Sequence, residues 1–233
     1  MKEKIRPLLF WDAQARWQNT WLQRCDYHRD IIPLIIRQTS PGWKVLDIGA
    51  GSGALALPLQ NHGCKVTALE PSQGMRALLR RTAGARQVQN FTIDGRTWEM
   101  VPVPQIKGFQ LILACNSLHL TTLGFSRALA KIFQAGPEHV CVISESCFLK
   151  TDTGQSACDH YQLSWQQNLT ANSSLAYRSL AEAWEHFHHR WDRLPTLDEK
   201  NSLQAQLQYR DNFYWLWQNA YLTVWWWSRI SMG

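Results

Sequence analysis

The chain has 233 residues, enough for one domain with a sizeable core and an insertion or cap. Its net charge is +6, but Lys and Arg are dispersed in short pairs such as Arg80-Arg81, so no basic stripe marks a nucleic-acid partner. No apolar run is long enough to cross a membrane, and the charged start Met1–Arg6 leads into an apolar stretch too short for a signal peptide, so the sequence reads as cytoplasmic.

Residues 10–38 read as helical. Trp17, Trp21, Cys25 and His28 recur at helical spacing, followed by Ile31, Ile32, Ile35 and Ile36, and Pro33 is expected to kink or divide the segment. Ser40-Pro41-Gly42 ends it. The six cysteines, Cys25, Cys64, Cys115, Cys141, Cys147 and Cys158, show no C-x-x-C spacing, and several lie in strand-like segments where a reduced, packed thiol is the default.

Val45-Leu46-Asp47-Ile48 reads as a short strand buried on both faces, and Gly49, Gly51 and Gly53 follow at alternate positions. Glycine allows the unusual backbone of a tight turn and the close approach of a ligand. The helix that begins near Ala54 then offers its first N–H groups. Gly49, Gly51 and Ala54 fit a dinucleotide fingerprint, which leaves a nicotinamide-dependent oxidoreductase as one reading. Asp47 weighs against it, because a carboxylate just ahead of the turn suits a positive ammonium better than a pyrophosphate.

The run Asp47-Ile48-Gly49-Ala50-Gly51-Ser52-Gly53 resembles the first motif of class I S-adenosylmethionine (SAM)-dependent methyltransferases of the small-molecule type, an acid, any residue, then G-x-G-x-G. The resemblance implies an α/β fold: a Rossmann-like, mostly parallel seven-stranded sheet flanked by helices. It also implies residues 1–40 as an N-terminal helical lid, 41–147 as the SAM-binding core, 148–203 as a helical insertion or cap before the last two strands, and 204–233 as C-terminal strands.

Ala54–Asn61 reads as a helix with Pro58 near its first turn, and Cys64–Leu69 as a second strand ending at Glu70. An acid there accepts from ribose hydroxyls in βαβ nucleotide sites, the alternative being a surface carboxylate. Glu70-Pro71-Ser72-Gln73-Gly74-Met75 resembles the methyltransferase segment that follows the ribose acid. Met75–Arg81 reads as a helix and Gln87–Ile93 as a third strand, before Asp94-Gly95-Arg96. The resemblance implies that Asp94 sits beside the adenine. Gly108–Ala114 is the fourth strand, with Gln110 where the family usually has an acid, and it leads into Cys115-Asn116-Ser117-Leu118-His119. By resemblance Asn116 lies near the sulfonium and substrate. His119 is a candidate general base, with packing as the alternative.

Ser126–Gln134 reads as a helix and His139–Glu145 as the fifth strand. Strand–helix alternation predicts parallel pairing with ligands at the carboxyl ends of the strands. Beyond, Ser179-Leu180-Ala181-Glu182 has the form of a capping box ahead of a helix carrying Leu180, Trp184, Phe187 and Trp191. That helix bears His186, His188 and His189, which are read as packed or solvated, and no metal is assigned. Gln204–Tyr209 alternates like a strand, and 213–217 and 221–229 read as strands or buried aromatic segments. The 13 tryptophans can be core or line a pocket for an apolar or aromatic acceptor.

The functional expectation is methyl transfer from SAM to a small molecule by in-line displacement. The alternatives are an RNA methyltransferase and a SAM-binding regulatory module without catalysis. The oligomeric state is left open.

Overall fold

The computed structural model describes residues 8–88, 91–145 and 160–230. Met1–Arg6, Cys147, Cys158 and the end of the assigned core therefore lie outside the described residues.

The main sheet has seven strands: β1 (Lys44–Ile48), β2 (Lys65–Leu69), β3 (Thr92–Asp94), β4 (Leu111–Cys115), β5 (His139–Glu145), β6 (Tyr161–Asn172) and β10 (Asn219–Arg229). Their spatial order is β3-β2-β1-β4-β5-β10-β6. The first five are parallel, and β10 runs antiparallel to both β5 and β6. Val45, Leu46, Leu111, Ile112, Leu113, Val140 and Cys141 are buried, as expected of strands covered on both faces by helices. The crossover helices are α3 (Ala56–Asn61), α4 (Gln73–Ala85) and α5 (Phe125–Ala135). The strand order reverses between β1 and β4, and a ligand crevice opens at such a point.

The seven-stranded sheet agrees with expectation, but its last two strands come from different places. β6 falls inside the segment read as a helical insertion, and the insertion lies between β6 and β10. It contains β7 (Leu175–Tyr177), α6 (Leu180–Trp191), α7 (Leu197–Gln206), β8 (Gln208–Arg210) and β9 (Phe213–Leu216). β7, β9 and β8 form a separate three-stranded sheet. β6 escaped notice although its apolar residues alternate: Tyr161, Leu163, Trp165, Leu169 and Ala171 fall at every second position, broken only at Gln167, with polar residues between them. The strand reading of Gln204–Tyr209 is corrected as well. α7 runs to Gln206, started by Thr196 and Glu199, whose side chains each accept the other's backbone N–H. At Ser179 only half of such a box forms: its hydroxyl accepts the Glu182 N–H, while the Glu182 carboxylate turns to Arg178 and Arg24.

At the N-terminal side are α1 (Leu8–Arg24) and α2 (Ile31–Ile36). They part at residues 25–30, not at Pro33. Pro33 lies in the first turn of α2, where its missing N–H has no intrahelical partner to lose, and Pro58 holds the same position in α3. α1 bridges two bodies. Asp12 meets the start of α4, and Trp17 stacks on His186 of α6 at 4.6 Å between centroids. Arg24 pairs with Glu182 at 3.2 Å.

Candidate active site

A cavity of about 680 Å³ opens at the carboxyl ends of the strands, where β1 and β4 part. Gly49 and Gly51 line it at one side, with Glu70, Pro71, Ser72 and Met75. Asn116, Ser117 and His119 line it after β4, and Glu145 at the end of β5. The N-terminal region adds Trp11, Trp21 and Tyr27, and the segment after β3 adds Trp98 and Glu99.

The glycine turn is shaped by contact. Gly49 has φ +69°, and a Cβ there would stand 2.5 Å from the Cβ of Ser117. Gly51 has φ +56°, and a Cβ would meet no protein atom within 4 Å, so its absence keeps the space above the turn open. The Glu70 carboxylate holds this turn from β2. One oxygen accepts the Gly51 N–H at 2.7 Å and the other accepts the Ser72 N–H at 2.8 Å. Burial raises the Glu70 pKa, and the two N–H groups oppose the shift.

Asp47 stands off the cavity wall. Its central-strand position buries it below the turn, and the Ala56 N–H at the start of α3 donates to it. Burial first, and the nearby Glu70 charge second, push its pKa up to about 7. Ala50 and Gly53 lie in the turn behind the lining residues, and Gly53 faces a second cavity between α1, α2 and α4. Asp94 is also turned away. Both of its oxygens bond Arg96, at distances from 2.6 to 3.1 Å, and this holds its carboxyl below the usual range. Gly95 packs against the Arg76 guanidinium instead of the cavity.

Asn116 adopts φ +49°, a conformation asparagine tolerates. Its Oδ1 accepts the Glu145 N–H at 3.0 Å, which turns its Nδ2 to donate to the Tyr27 hydroxyl at 2.7 Å. Tyr27 in turn donates to Glu145 Oε1 at 3.3 Å. Burial pushes the His119 pKa down to about 4, so its ring is neutral at pH 7 and a weak proton acceptor. His28, on the wall shared with the second cavity, is pushed down to about 4 by burial too.

Sequence reasoning missed Asp12, Tyr27 and Glu145. Asp12 Oδ1 accepts the Ser72 hydroxyl at 2.6 Å and the Gly74 N–H at 3.0 Å, fastening α1 to the loop that follows Glu70. A Cβ at Gly74 would stand 2.4 Å from the Asp12 carbonyl oxygen, so this approach requires glycine. Glu145 was within reach of the rule that singled out Glu70, an acid at the carboxyl end of a parallel strand. Of the α6 histidines, His186 is buried with its Nδ1 2.8 Å from the Tyr177 hydroxyl, His189 stacks on Phe10, and His188 is exposed. Among the described residues no cluster of potential metal ligands forms.

Residues 45–135 match the family described as a methyltransferase domain. No curated protein matches the sequence. Similar solved structures include a proposed methyltransferase from Bacillus halodurans, with 12% identity, TM-score 0.58, and coverage of 84% of this chain and 97% of that one. The YcgJ protein from Bacillus subtilis has 13% identity and TM-score 0.56, covering 88% and 100%. A proposed RNA methyltransferase from Pyrococcus horikoshii has 11% identity and TM-score 0.55, covering 87% and 82%. At these identities the likeness of structures concerns the fold.

Proposed function

We propose that the chain, whose residues 45–135 match a methyltransferase domain, is a SAM-dependent methyltransferase that methylates a small molecule held under α1. The reading rests on one observation: a cavity at the strand-order reversal lined by both the glycine turn and the Glu70 carboxylate. The residues present suit the cofactor. The space over Gly51 is clear, and Glu70 retains acceptor capacity for ribose hydroxyls beyond its two N–H partners.

When bound, SAM supplies a methyl group already activated by its sulfonium. The protein's part is to align, enclose and exclude water. In this proposal Gly49, Ala50, Gly51 and Gly53 shape the turn that meets the cofactor, and Pro71, Ser72 and Met75 continue the wall. Asn116 braces the far side with Tyr27. Asp47 is assigned to holding the turn through Ala56. Asp94 and Gly95 are assigned to fixing Arg96 and the loop that presents Trp98 and Glu99. His119 is assigned a hydrogen-bonding place near the acceptor, since its lowered pKa suits it poorly to storing a proton at pH 7.

The charge of the cavity supports a small acceptor over RNA. Among the described residues Glu70, Glu99 and Glu145 line it against the guanidinium of Arg190, an arrangement that repels phosphates although the chain as a whole is basic. Calorimetry with SAM, its demethylated product S-adenosylhomocysteine (SAH) and NAD tests the cofactor. SAM and SAH are expected to bind and NAD not to, and the reverse would overturn the reading. Glu70→Ala is expected to weaken SAH binding by on the order of 1–3 kcal/mol.

A further inference from the structure

We propose that the acceptor is an amine and that Glu145 is the group that recognises its nitrogen. The inference rests on the methyltransferase reading above and names the chemistry of its substrate.

Among the described residues three carboxylates line the cavity, and they are not equivalent. Glu70 is engaged by two backbone N–H groups. Glu99 accepts both the N–H and the hydroxyl of Thr122. Glu145 takes one donor among the described residues, the Tyr27 hydroxyl at 3.3 Å. An ionised carboxylate offers about four acceptor directions and no donor, so Glu145 can receive further N–H groups.

The position of Glu145 is fixed. Its own N–H binds Asn116, Asn116 binds Tyr27, and Tyr27 returns to the Glu145 carboxylate, closing a ring of hydrogen bonds at the ends of β4 and β5. Next to this ring stand π-faces. Tyr27 lies 5.0 Å from Trp21 between centroids, and both line the cavity with Trp11. A carboxylate beside aromatic faces binds an alkylammonium or an N–H-bearing base. It disfavours carboxylates and phosphates.

The chemistry is consistent with that choice. A bound ammonium first gives one proton to Glu145, the freed nitrogen lone pair then becomes the new N–C bond, and the S–C electron pair stays with sulfur. Glu145 hands that proton to water, and the product leaves as a methylated ammonium.

Calorimetry on SAH-saturated protein tests this with three probes of one shape: tryptamine, tryptophol and indole-3-propionate. Tryptamine is expected to bind about tenfold or more tighter than tryptophol, with indole-3-propionate weakest. Glu145→Gln is expected to bring tryptamine to the level of tryptophol while SAH affinity marks an intact fold. Normal SAH binding with no preference for tryptamine, or a preference that survives E145Q, overturns the inference alone. Loss of SAH binding in the unaltered protein overturns the reading beneath it as well. Should E145Q not fold, the ranking in the unaltered protein decides.

Discussion

Trp226 and Trp217 are close in sequence and lie in different surroundings. Trp226, in β10 of the main sheet, is 3% exposed and stacks on Trp165 of β6 at 5.7 Å. Trp217, just past β9 of the small sheet, stacks on Trp215 at 4.8 Å yet is 46% exposed. The main sheet is covered on both faces, so its central strands are almost wholly apolar. The small sheet packs on a core of Tyr177, Ala183, Phe187, Leu203 and Leu216, while Tyr209 and all of β8 remain exposed. Burial on two faces makes a strand run apolar throughout, whereas burial on one leaves aromatic residues facing water.

Substitutions can break or sharpen this contrast. Trp226→Ala has the largest expected effect, a loss of about 3–5 kcal/mol in urea unfolding, because a large buried ring leaves a cavity. Asp47→Asn is expected to act in the opposite direction. The Asp47 pKa is raised from 3.8 to about 7, so the folded state increasingly disfavours its charge as pH climbs between those values, and the penalty is complete above 7. The variant should therefore gain on the order of 1–2 kcal/mol in urea unfolding without ligand at pH 8, and the gain should vanish below pH 4. Asp12→Asn is expected to cost about 1 kcal/mol, read as faster hydrogen exchange in residues 8–24, since water competes for a half-buried group. The Asp12 pKa is lowered, chiefly by the Ser72 hydroxyl, so its contribution is present above 3.8 and is lost as pH falls through its folded value. Trp217→Ala should change stability by less than about 0.5 kcal/mol in the same assay. A loss as large as that of Trp226→Ala would show the small sheet to be part of the main core.

What the sequence discloses follows the same division. Lys44–Glu70 was readable because its local signals agree: apolar strands, glycines at the turn, and an acid where β2 ends; the third strand, read as Gln87–Ile93, is only Thr92–Asp94 among the described residues. The glycine turn lies on the expected element, but Asp47 stands off the cavity wall, because sequence spacing does not show that a central-strand side chain points below the turn. The pairing of Asp94 with Arg96 was not legible, since it is a matter of rotamers. Asp12 and Tyr27 meet the site only through packing between distant segments, and no spacing rule joins residue 12 to residue 72. β6 shows the opposite failure, a long strand whose alternating Tyr161, Leu163, Trp165, Leu169 and Ala171 were legible but diluted by the many polar residues around them.

The position of β10 has a consequence for how the molecule is made. It is wedged between β5 and β6, antiparallel to both, and comes after every other described strand in the chain. During synthesis β5 and β6 have already left the ribosome while residues 219–229 are still to come, so both present bare backbone edges in the interval. The nascent chain is then most vulnerable to pairing with a neighbour, and the arrival of a single aromatic ribbon seals two seams at once.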